Sequence, residues 1–539
     1  MSYTIKRVVV IGSGTMGGGI AAHAANAGLP VYLLDVAPRE LTPEEERRGL
    51  ALDSRAVRNR IVNASLERLK KSRPAAFFTP DAAELITVGN LEDDFDWVAE
   101  GDWIVEAIVE QLQPKRELFA RIERVRKAGS IVTSNTSGLP IAAIADRTSD
   151  DFKSHFLGTH FFNPPRYMKL LEVIPTAETL PEVTEFMTDF AARRLGKGVV
   201  VCKDTPNFIA NRLGSIYGAS TLAYVLKNKY TVEETDAIVG PLIGRPKTAL
   251  FRLQDLVGLD VSSAVGENLY GLIPDDETRE VLRDQNLGTL RTTQVERGRL
   301  GDKTGQGFYK KPPRGAKGDI LTLDLETMEY RERREPELPS VSEALKLKQL
   351  PERLRFILAR DDRAGRLARH VVYNAVGYAS RRVPEITDRI ADVDRAMRWG
   401  YSHELGPFEL WDALGVRATA EALEREGVAV ALWVREMLDA GNETFYRATD
   451  DGRASYYDPA RKTYVAEALD ERKIELRRVK SAGGVVRENR GASLVDLGDG
   501  VACLEFHTKL NTLDADVVVM LGEAVEEVET RGWRGLVIG

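Results

Sequence analysis

Residues 6–35 read KRVVVIGSGTMGGGIAAHAANAGLPVYLLD. The run Val8–Ile11 is apolar and β-branched, which predicts a buried parallel strand. Three glycines with the spacing G-x-G-x-x-G follow it, and the pattern then predicts a helix over Met16–Ala27. A second apolar run, Val31–Leu34, predicts another strand that ends in Asp35. A strand, a glycine turn, a helix and a second strand with a terminal acid together form a dinucleotide-binding fingerprint.

Each part of this fingerprint has a physical task. The first glycine allows the tight turn, the second lets the backbone approach a pyrophosphate, and the third lets the helix pack closely on the strand. The free N–H groups and the dipole of the helix favour the phosphates, and the terminal acid favours an unmodified ribose over a 2′-phosphate. We therefore predict an NAD-binding α/β domain of the Rossmann type. A glycine-rich turn without a ligand is the alternative. The predicted cofactor contacts here are Gly12, Gly14, Thr15, Met16, Gly17 and Asp35.

Composition narrows the class of protein. The chain has 539 residues, of which 43% are hydrophobic and 29% charged, and its net charge is −7. This charge indicates no basic surface for nucleic acid. Cys202 and Cys503 lie far apart and predict neither a disulfide framework nor a metal site. No apolar run reaches the ~18 residues of a membrane span, and no signal peptide precedes the first strand. We expect about three or four domains and a cytoplasmic location.

A charged segment, residues 43–71, carries apolar residues at helical spacing, and a second helix near residues 80–85 is predicted to return from it. The segment is longer than a standard crossover, so we interpret it as a lid or a substrate-facing helical arm. Near its tip, Ser65, Lys70 and Lys71 could meet an anionic ligand. A solvated helix face is the alternative.

Polar residues also follow two further predicted strands. The strand at residues 102–106 leads to Glu110 and Lys115, which we place at the carboxyl edge of the sheet, where ligands of doubly wound sheets bind. The strand at residues 130–134 leads to the loop Asn135–Gly138, which could hold a ribose or a substrate oxygen. This loop could equally be a helix N-cap.

His160 and Glu172 form the strongest candidate for a reactive pair. His160 ends a predicted strand within the run GTHFFNPP, and Glu172 lies inside the apolar strand at residues 168–174. A buried acid needs a partner, and His160 is the obvious one. A His–Glu pair holds one imidazole tautomer and raises the basicity of the ring, which suits a general base. A purely structural pair is the alternative.

Seven runs, in chain order, resemble the 3-hydroxyacyl-CoA dehydrogenase family of β-oxidation: GSGTMGGGIA, VEAIVE with Lys115, SNTSGL, HFFNPP, MKLLEVI, CKDTPNFIANR and DKTGQGFYK. The resemblance covers residues 6–310. It implies NAD-dependent oxidation of L-3-hydroxyacyl-CoA to 3-ketoacyl-CoA in fatty acid β-oxidation.

The resemblance also implies roles for single residues. His160 is the implied catalytic base, Glu172 orients it, and Ser137 and Asn211 contact the substrate oxygen. The implied NAD contacts beyond the glycine turn are Glu110, Lys115, Ser137, Asn163 and Lys303. Ser65 and Lys71 are the implied contacts of the coenzyme A arm. An acyl-CoA substrate is the implied partner, and a thiolase is a further implied partner in a fatty-acid oxidation complex.

The resemblance and the composition together predict six segments. They are an NAD-binding domain with its helical arm (1–203), a first helical dehydrogenase C-terminal domain (204–309), a connector with a small hairpin (310–349), a second helical repeat (350–450), a linker (451–492) and a partial crotonase-like segment (493–539). The second repeat echoes the first at an offset of about 157 residues. We interpret it as structural, because in single-unit relatives a dimer partner covers the same helical face. A monomer with an internal pseudo-dimer is therefore expected, and a homodimer is the alternative.

The run LEFHTKLNTLDADVVVMLGEAVEEVETRGWRGLVIG, residues 504–539, resembles the opening of the enoyl-CoA hydratase (crotonase) fold. The later catalytic elements of that fold are absent from the sequence, so we expect no hydratase chemistry from this segment. The natural protein is then expected to be longer and bifunctional. Two other functions stay open at this stage: a dehydrogenase of free 3-hydroxy acids, and a non-catalytic NAD-binding scaffold.

Overall fold

The computed structural model describes residues 3–312, 318–450, 453–468, 470 and 472–539. Residues 313–317 of the predicted connector, and residues 451–452, 469 and 471 of the predicted linker, lie outside the described residues. The chain forms two compact units, Met1–Glu443 and Thr444–Gly539. Among the described residues, every helix is too short or too polar to cross a membrane.

An eight-stranded sheet organises the N-terminal domain. Its strands are β1 (Val8–Ile11), β2 (Val31–Asp35), β3 (Ile86–Asn90), β4 (Trp103–Glu106), β5 (Ile131–Ser134), β6 (Phe156–Phe161), β7 (Leu170–Pro175) and β8 (Gly198–Val201). The spatial order is β3-β2-β1-β4-β5-β6-β7-β8. All neighbours are parallel except β6 and β7, which are antiparallel. The first six strands have the doubly wound order in which a dinucleotide binds at the carboxyl edge, so the predicted Rossmann-type sheet is confirmed.

Eight helices accompany this sheet: α1 (Thr15–Asn26), α2 (Pro43–Arg47), α3 (Arg55–Arg58), α4 (Arg60–Lys70), α5 (Leu112–Val125), α6 (Ile141–Ile144), α7 (Asp150–Ser154) and α8 (Pro181–Arg193). The glycine fingerprint folds as predicted, because β1, α1 and β2 agree with the expected elements to within one residue. Gly28 follows α1 with φ of +76°, a conformation that suits a helix stop.

The predicted helical arm differs from the expected continuous element. Residues 43–71 form three short helices, and Pro80–Leu85 is a 3-10 turn. Gly49, with φ of +66°, separates α2 from the helices that follow. Val62 on α4 is buried in the same core as β1 and β2. This part of the chain therefore packs onto the sheet, because its apolar side chains are buried against the sheet.

The rest of the first unit is mainly helical. Its first helical segment comprises α9 (Ala210–Lys227), α10 (Val232–Ile238), α11 (Phe251–Val257), α12 (Leu259–Leu272) and α13 (Gln285–Glu296). A three-stranded antiparallel sheet follows, with β9 (Tyr309–Lys310), β10 (Leu321–Leu323) and β11 (Tyr330–Glu332). The second helical segment comprises α14 (Pro339–Ala344), α15 (Leu350–Leu358), α16 (Arg363–Arg382), α17 (Ile390–Gly400), α18 (Pro407–Leu414), α19 (Val416–Arg425) and α20 (Leu432–Asp439).

The long helices α9 and α16 pack on each other through buried polar contacts. Arg212 on α9 donates to the hydroxyl of Tyr378 on α16 at 2.8 Å and pairs with Asp276 at 2.7 Å. Tyr217 on α9 donates to the carbonyl oxygen of Ala375 on α16 at 2.8 Å. The second segment thus covers one face of α9, the helix that begins at the candidate site.

The unit Thr444–Gly539 has its own sheets. One contains β12 (Tyr446–Ala448), β13 (Ala454–Asp458) and β14 (Thr463–Ala466). After α21 (Leu476–Ser481), the other contains β15 (Val485–Glu488), β16 (Ala492–Gly498), β17 (Val501–Phe506) and β18 (Gly535–Ile538), with α22 (Ala515–Arg531) between the last two strands. β17 and β18 are parallel, and the other neighbours are antiparallel. Leu494, Leu504 and Met520 belong to a small core between this sheet and α22.

Candidate active site

His160 and Glu172 lie directly opposite each other on the antiparallel strands β6 and β7. The Nδ1 atom of His160 is 2.7 Å from Oε2 of Glu172, and the two residues are 3% and 0% exposed. A carboxylate can only accept, so Nδ1 carries the proton and donates it. The other ring nitrogen, Nε2, is then left with its lone pair free to accept a proton.

The second carboxylate oxygen of Glu172 reaches the start of α9. Its Oε1 atom accepts from the backbone N–H groups of Ile209 at 3.2 Å and Ala210 at 2.9 Å. The preceding residues Asn207 and Phe208 have φ of +62° and +52°, a left-handed conformation that turns the chain into the helix. Such strain is typical of functional sites, where the surroundings hold it in place. One buried carboxylate therefore joins the imidazole to the N-terminus of α9.

Asn211, in the first turn of α9, is held by a residue from the second helical segment. The hydroxyl of Tyr401, which follows α17, donates to Oδ1 of Asn211 at 3.2 Å. Burial, together with the nearby charge of Glu172, raises the pKa of the Tyr401 phenol, so the group remains a donor. No spacing or motif predicts a role for Tyr401, because its contact with Asn211 is between residues far apart in the chain.

A second polar cluster lies at the carboxyl edge around Glu110. Its Oε1 atom accepts from the backbone N–H groups of Ser137 at 2.8 Å and Gly138 at 3.1 Å. Lys115, itself buried, pairs with Glu110 at 3.3 Å and with Glu106 at 2.6 Å. Burial raises the pKa of Glu110, but the charge of Lys115 and the hydrogen bonds outweigh it and leave the pKa below its ordinary value. The carboxylate thus stays charged. Glu106 is not among the site residues predicted from the sequence.

The two clusters are neighbours. The side-chain oxygen of Asn135, from the loop after β5, accepts from the backbone N–H of Phe161 at 2.9 Å. A Cβ atom added at Gly138 would lie 2.4 Å from Oδ1 of Asn207. The structure therefore brings together the predicted residues His160, Glu172, Ser137, Asn211, Glu110 and Lys115.

The glycine turn has the shape that a pyrophosphate requires. Gly12 has φ of +98°, and a Cβ atom there would lie 2.5 Å from the carbonyl oxygen of Ala107. A Cβ atom at Gly17 would lie 1.9 Å from the carbonyl oxygen of Gly12, whereas one at Gly14 would meet no atom within 4 Å. Thr15 and Met16 open α1, whose first turn has no side-chain cap and no acidic residue. These features leave room and free N–H groups for a phosphate.

Asp35 faces this turn from the end of β2. Its Oδ2 atom accepts from the backbone N–H of Ser13 at 2.6 Å, and its Oδ1 atom accepts from Val36 at 2.7 Å. Ser65 is also close to the turn, because its buried hydroxyl donates to the carbonyl oxygen of Ser13. The residues around the turn thus fit the phosphate and ribose portions of a dinucleotide.

Three predicted residues lie in other surroundings. Lys71 follows α4, is 79% exposed in its side chain and lies 3.8 Å from Glu67. Lys303 forms an ion pair with Asp260 on α12. Asn163 is exposed in the loop after β6. The structure does not draw these three side chains into either cluster, and their roles, like that of Ser65 toward coenzyme A, stay predictions.

The chain is similar to one family of known proteins over most of its first unit. The NAD binding domain of 3-hydroxyacyl-CoA dehydrogenase matches residues 7–205, and the C-terminal domain of the same enzyme matches residues 208–311. A relative from Deinococcus radiodurans, named "Probable 3-hydroxyacyl-CoA dehydrogenase", is 45% identical over 57% of this chain and 83% of its own length. The chain belongs to the 3-hydroxyacyl-CoA dehydrogenase family. This family consists of NAD-dependent oxidoreductases, and the chain is one of its members.

Two further likenesses extend past the matched domains. A relative of the same name from Bacillus subtilis is 47% identical over 99% of this chain, and the chain spans 66% of that relative's length. The crystal structure of 3-hydroxybutyryl-CoA dehydrogenase from Escherichia coli covers 81% of this chain and 99% of its own, with a TM-score of 0.54 and 23% identity. The latter likeness concerns the fold alone.

Proposed function

We propose that this 3-hydroxyacyl-CoA dehydrogenase chain oxidises L-3-hydroxyacyl-CoA to 3-ketoacyl-CoA with His160 as the base. The observation that carries the proposal is the carboxylate of Glu172. One of its oxygens accepts from the imidazole, and the other accepts from the N-terminus of α9, where Asn211 lies. The Glu172 carboxylate thus fixes both His160, the proposed base, and the start of α9, which carries the Asn211 amide proposed to hold the reacting oxygen.

The proposed reaction uses these residues as follows. Nε2 of His160 takes the proton of the substrate 3-hydroxyl as the C3–H bond breaks. Glu172 stabilises the imidazolium that forms, since the buried carboxylate is only 2.7 Å from Nδ1. Asn211 and Ser137 hold the substrate oxygen in line with the base. When bound, NAD⁺ supplies the acceptor for the hydride that leaves C3.

Steady-state NADH formation tests the proposal. The purified chain is given L-3-hydroxyacyl-CoAs of graded length, with NADP⁺ and free 3-hydroxy acids as parallel substrates. We expect activity with the CoA esters and NAD⁺. The variant His160→Gln should bind NADH normally and lose most turnover, because the glutamine amide is not basic enough to replace the imidazole as proton acceptor.

His155→Gln is the matched control. His155 is a buried histidine just before β6 whose side chain contacts Tyr3, Ser154 and Asp151. This variant should retain turnover. Near-normal turnover of His160→Gln would remove His160 from the mechanism, and activity on free acids alone would replace the proposed substrate class.

We further propose that residues 350–450 repeat the helical unit of residues 204–309. In support, Asp236 on α10 accepts from the backbone N–H groups of Leu250 and Phe251 at the start of α11. Asp394 on α17 makes the same contact with Phe408 at the start of α18. Because α16 covers α9, the second unit replaces a dimer partner, and a solution mass of one chain is expected. A dimer built through α9 would contradict this.

The sheet β15–β18 supports a third proposal, a likeness to the start of the enoyl-CoA hydratase fold. Two antiparallel strands are followed by α22 and a parallel strand.

A further inference from the structure

The second helical segment does more than cover α9, because its helix α17 ends beside the candidate active site. A Cβ atom added at Gly400 would lie 2.7 Å from Leu170, 3.5 Å from Phe162 and 3.6 Å from Ala210. Phe162 lies against His160, with ring centroids 4.6 Å apart. The end of α17 therefore packs where β7, the His160 loop and the start of α9 meet.

Tyr401 is the residue that this packing brings to Asn211. A Cβ atom at Gly214, one turn further along α9, would lie 2.2 Å from the Tyr401 hydroxyl oxygen. The phenol thus lies close against a bare stretch of α9 backbone, and any larger residue at position 214 would displace it. From there its hydroxyl donates to Oδ1 of Asn211 at 3.2 Å.

We propose that Tyr401 is a positioning residue that sets the orientation of the Asn211 side chain. A carboxamide has an oxygen end and an NH₂ end, and only the NH₂ end can donate to a substrate oxygen. Because the Tyr401 hydroxyl donates to Oδ1, it holds the oxygen end toward α17 and leaves Nδ2 to donate to the 3-oxygen of the acyl-CoA. Without this hydroxyl, the amide can present either end.

This inference rests on the proposed function of Asn211 and adds to it. Tyr401 lies outside both matched family domains, which cover residues 7–205 and 208–311. The residue therefore gives the second helical segment a part in substrate recognition, beyond the structural role that the sequence predicted for it.

The variant Tyr401→Phe tests the proposal, because it removes the hydroxyl and keeps the ring. The loss of one hydrogen bond lowers a rate or an affinity that depends on it by about two- to tenfold. We expect kcat to fall by this factor with the KM for NAD⁺ unchanged. We also expect weaker binding of acetoacetyl-CoA, which carries a 3-oxygen, and unchanged binding of butyryl-CoA, which lacks one. A merely structural role would change both affinities alike.

Two comparisons complete the test. Tyr217→Phe removes a matched hydrogen bond between α9 and α16, and it should leave both CoA affinities and kcat unchanged. In the background of Asn211→Ala, Tyr401→Phe should have no further effect, because the amide that it positions is absent.

The outcomes separate the two proposals. If the wild-type chain forms NADH and Tyr401→Phe matches it in kcat and in both affinities, the role of Tyr401 is overturned and the proposed function stands. Equal weakening of acetoacetyl-CoA and butyryl-CoA binding also overturns it. If the wild-type chain neither oxidises a 3-hydroxyacyl-CoA nor binds either ester, the proposed function itself fails.

Discussion

The substitution Glu172→Gln tests the centre of the proposed mechanism. Glutamine has nearly the same shape as glutamate but only one accepting oxygen. Two backbone N–H groups, from Ile209 and Ala210, point at one end of the side chain. The amide oxygen will therefore turn toward α9, and the NH₂ group will face Nδ1 of His160. Since NH₂ donates, Nδ1 must accept, and the imidazole proton moves to Nε2. The nitrogen that should take the substrate proton then already carries one.

The size of the effect follows from these contacts. A hydrogen bond to a charged group contributes about 1.5–3 kcal/mol. The wrong imidazole tautomer lowers kcat further, because Nε2 then cannot accept the substrate proton. The corresponding change in hydrolytic triads lowers kcat about 10⁴-fold. We expect kcat of Glu172→Gln to fall by about 10²- to 10⁴-fold. The free energy of unfolding should fall by less than about 2 kcal/mol, because the accepting oxygen for α9 is retained.

The assay is NADH formation across a range of pH, with NADH binding and thermal unfolding measured on the same samples. Glu182→Gln, a change at an exposed glutamate in the first turn of α8, serves as the control and should behave as the wild type. If Glu172→Gln keeps kcat within about threefold of the wild type while binding NADH and unfolding normally, Glu172 does not set the tautomer of His160.

Three further changes test other parts of the chain. Asp35→Ala should weaken NAD⁺ binding about tenfold and narrow the preference over NADP⁺, because a charged acceptor is lost from the end of β2; initial rates with both cofactors measure this, and an unchanged preference would contradict it. Burial, with the positive charge of Lys197, lowers the pKa of His23 to about 4. The unfolded chain therefore takes up the proton first as pH falls. The wild type should lose about 3 kcal/mol of stability between pH 6.5 and 4 relative to His23→Gln in denaturant titrations; parallel pH dependences would disprove this. Asp276→Ala leaves buried Arg212 without its main carboxylate and should cost about 3–5 kcal/mol. The control Glu267→Ala, which removes an exposed ion pair with Arg283, should lower the free energy of unfolding by less than about 1 kcal/mol. Equal losses of stability in the two variants would contradict a stabilising role for the buried Arg212–Asp276 pair.

The elements that the sequence predicted well are those fixed by local patterns. β1, α1 and β2 were predictable because an apolar run, a glycine turn and an apolar helix face specify each other over about 30 residues. The strand around Glu172 was predictable from its apolar run, and its pairing with His160 was predictable because a single acid in such a run requires a nearby partner. α22 and its flanking strands were predictable for the same local reason, since their apolar periodicity is strong.

Other features depend on contacts that no local pattern encodes. The segment at residues 43–71 has helical periodicity, but Gly49, with a positive φ, ends its first helix, and Val62 on the last helix packs in the core of the sheet. β15 was assigned to a linker because its four residues are too few to give a period, and it becomes a strand by pairing with β16. Tyr401 could not be found in the sequence, since its importance comes from where α17 ends relative to α9.

The candidate site draws its residues from three parts of the chain, and Glu172 links two of them directly. Its carboxylate is 0% exposed and has bonds to β6 on one side and to α9 on the other. A shift of α9 relative to the sheet would break two hydrogen bonds to a buried charge, and an unmade bond of this kind costs about 1–3 kcal/mol or more. His160 and Asn211 therefore keep a fixed position relative to each other. Tyr401 extends this constraint to the second helical segment, because its hydroxyl donates to Oδ1 of Asn211. Movements that admit a substrate are then expected in parts of the chain outside this group, with the proposed base and its carboxylate already in place.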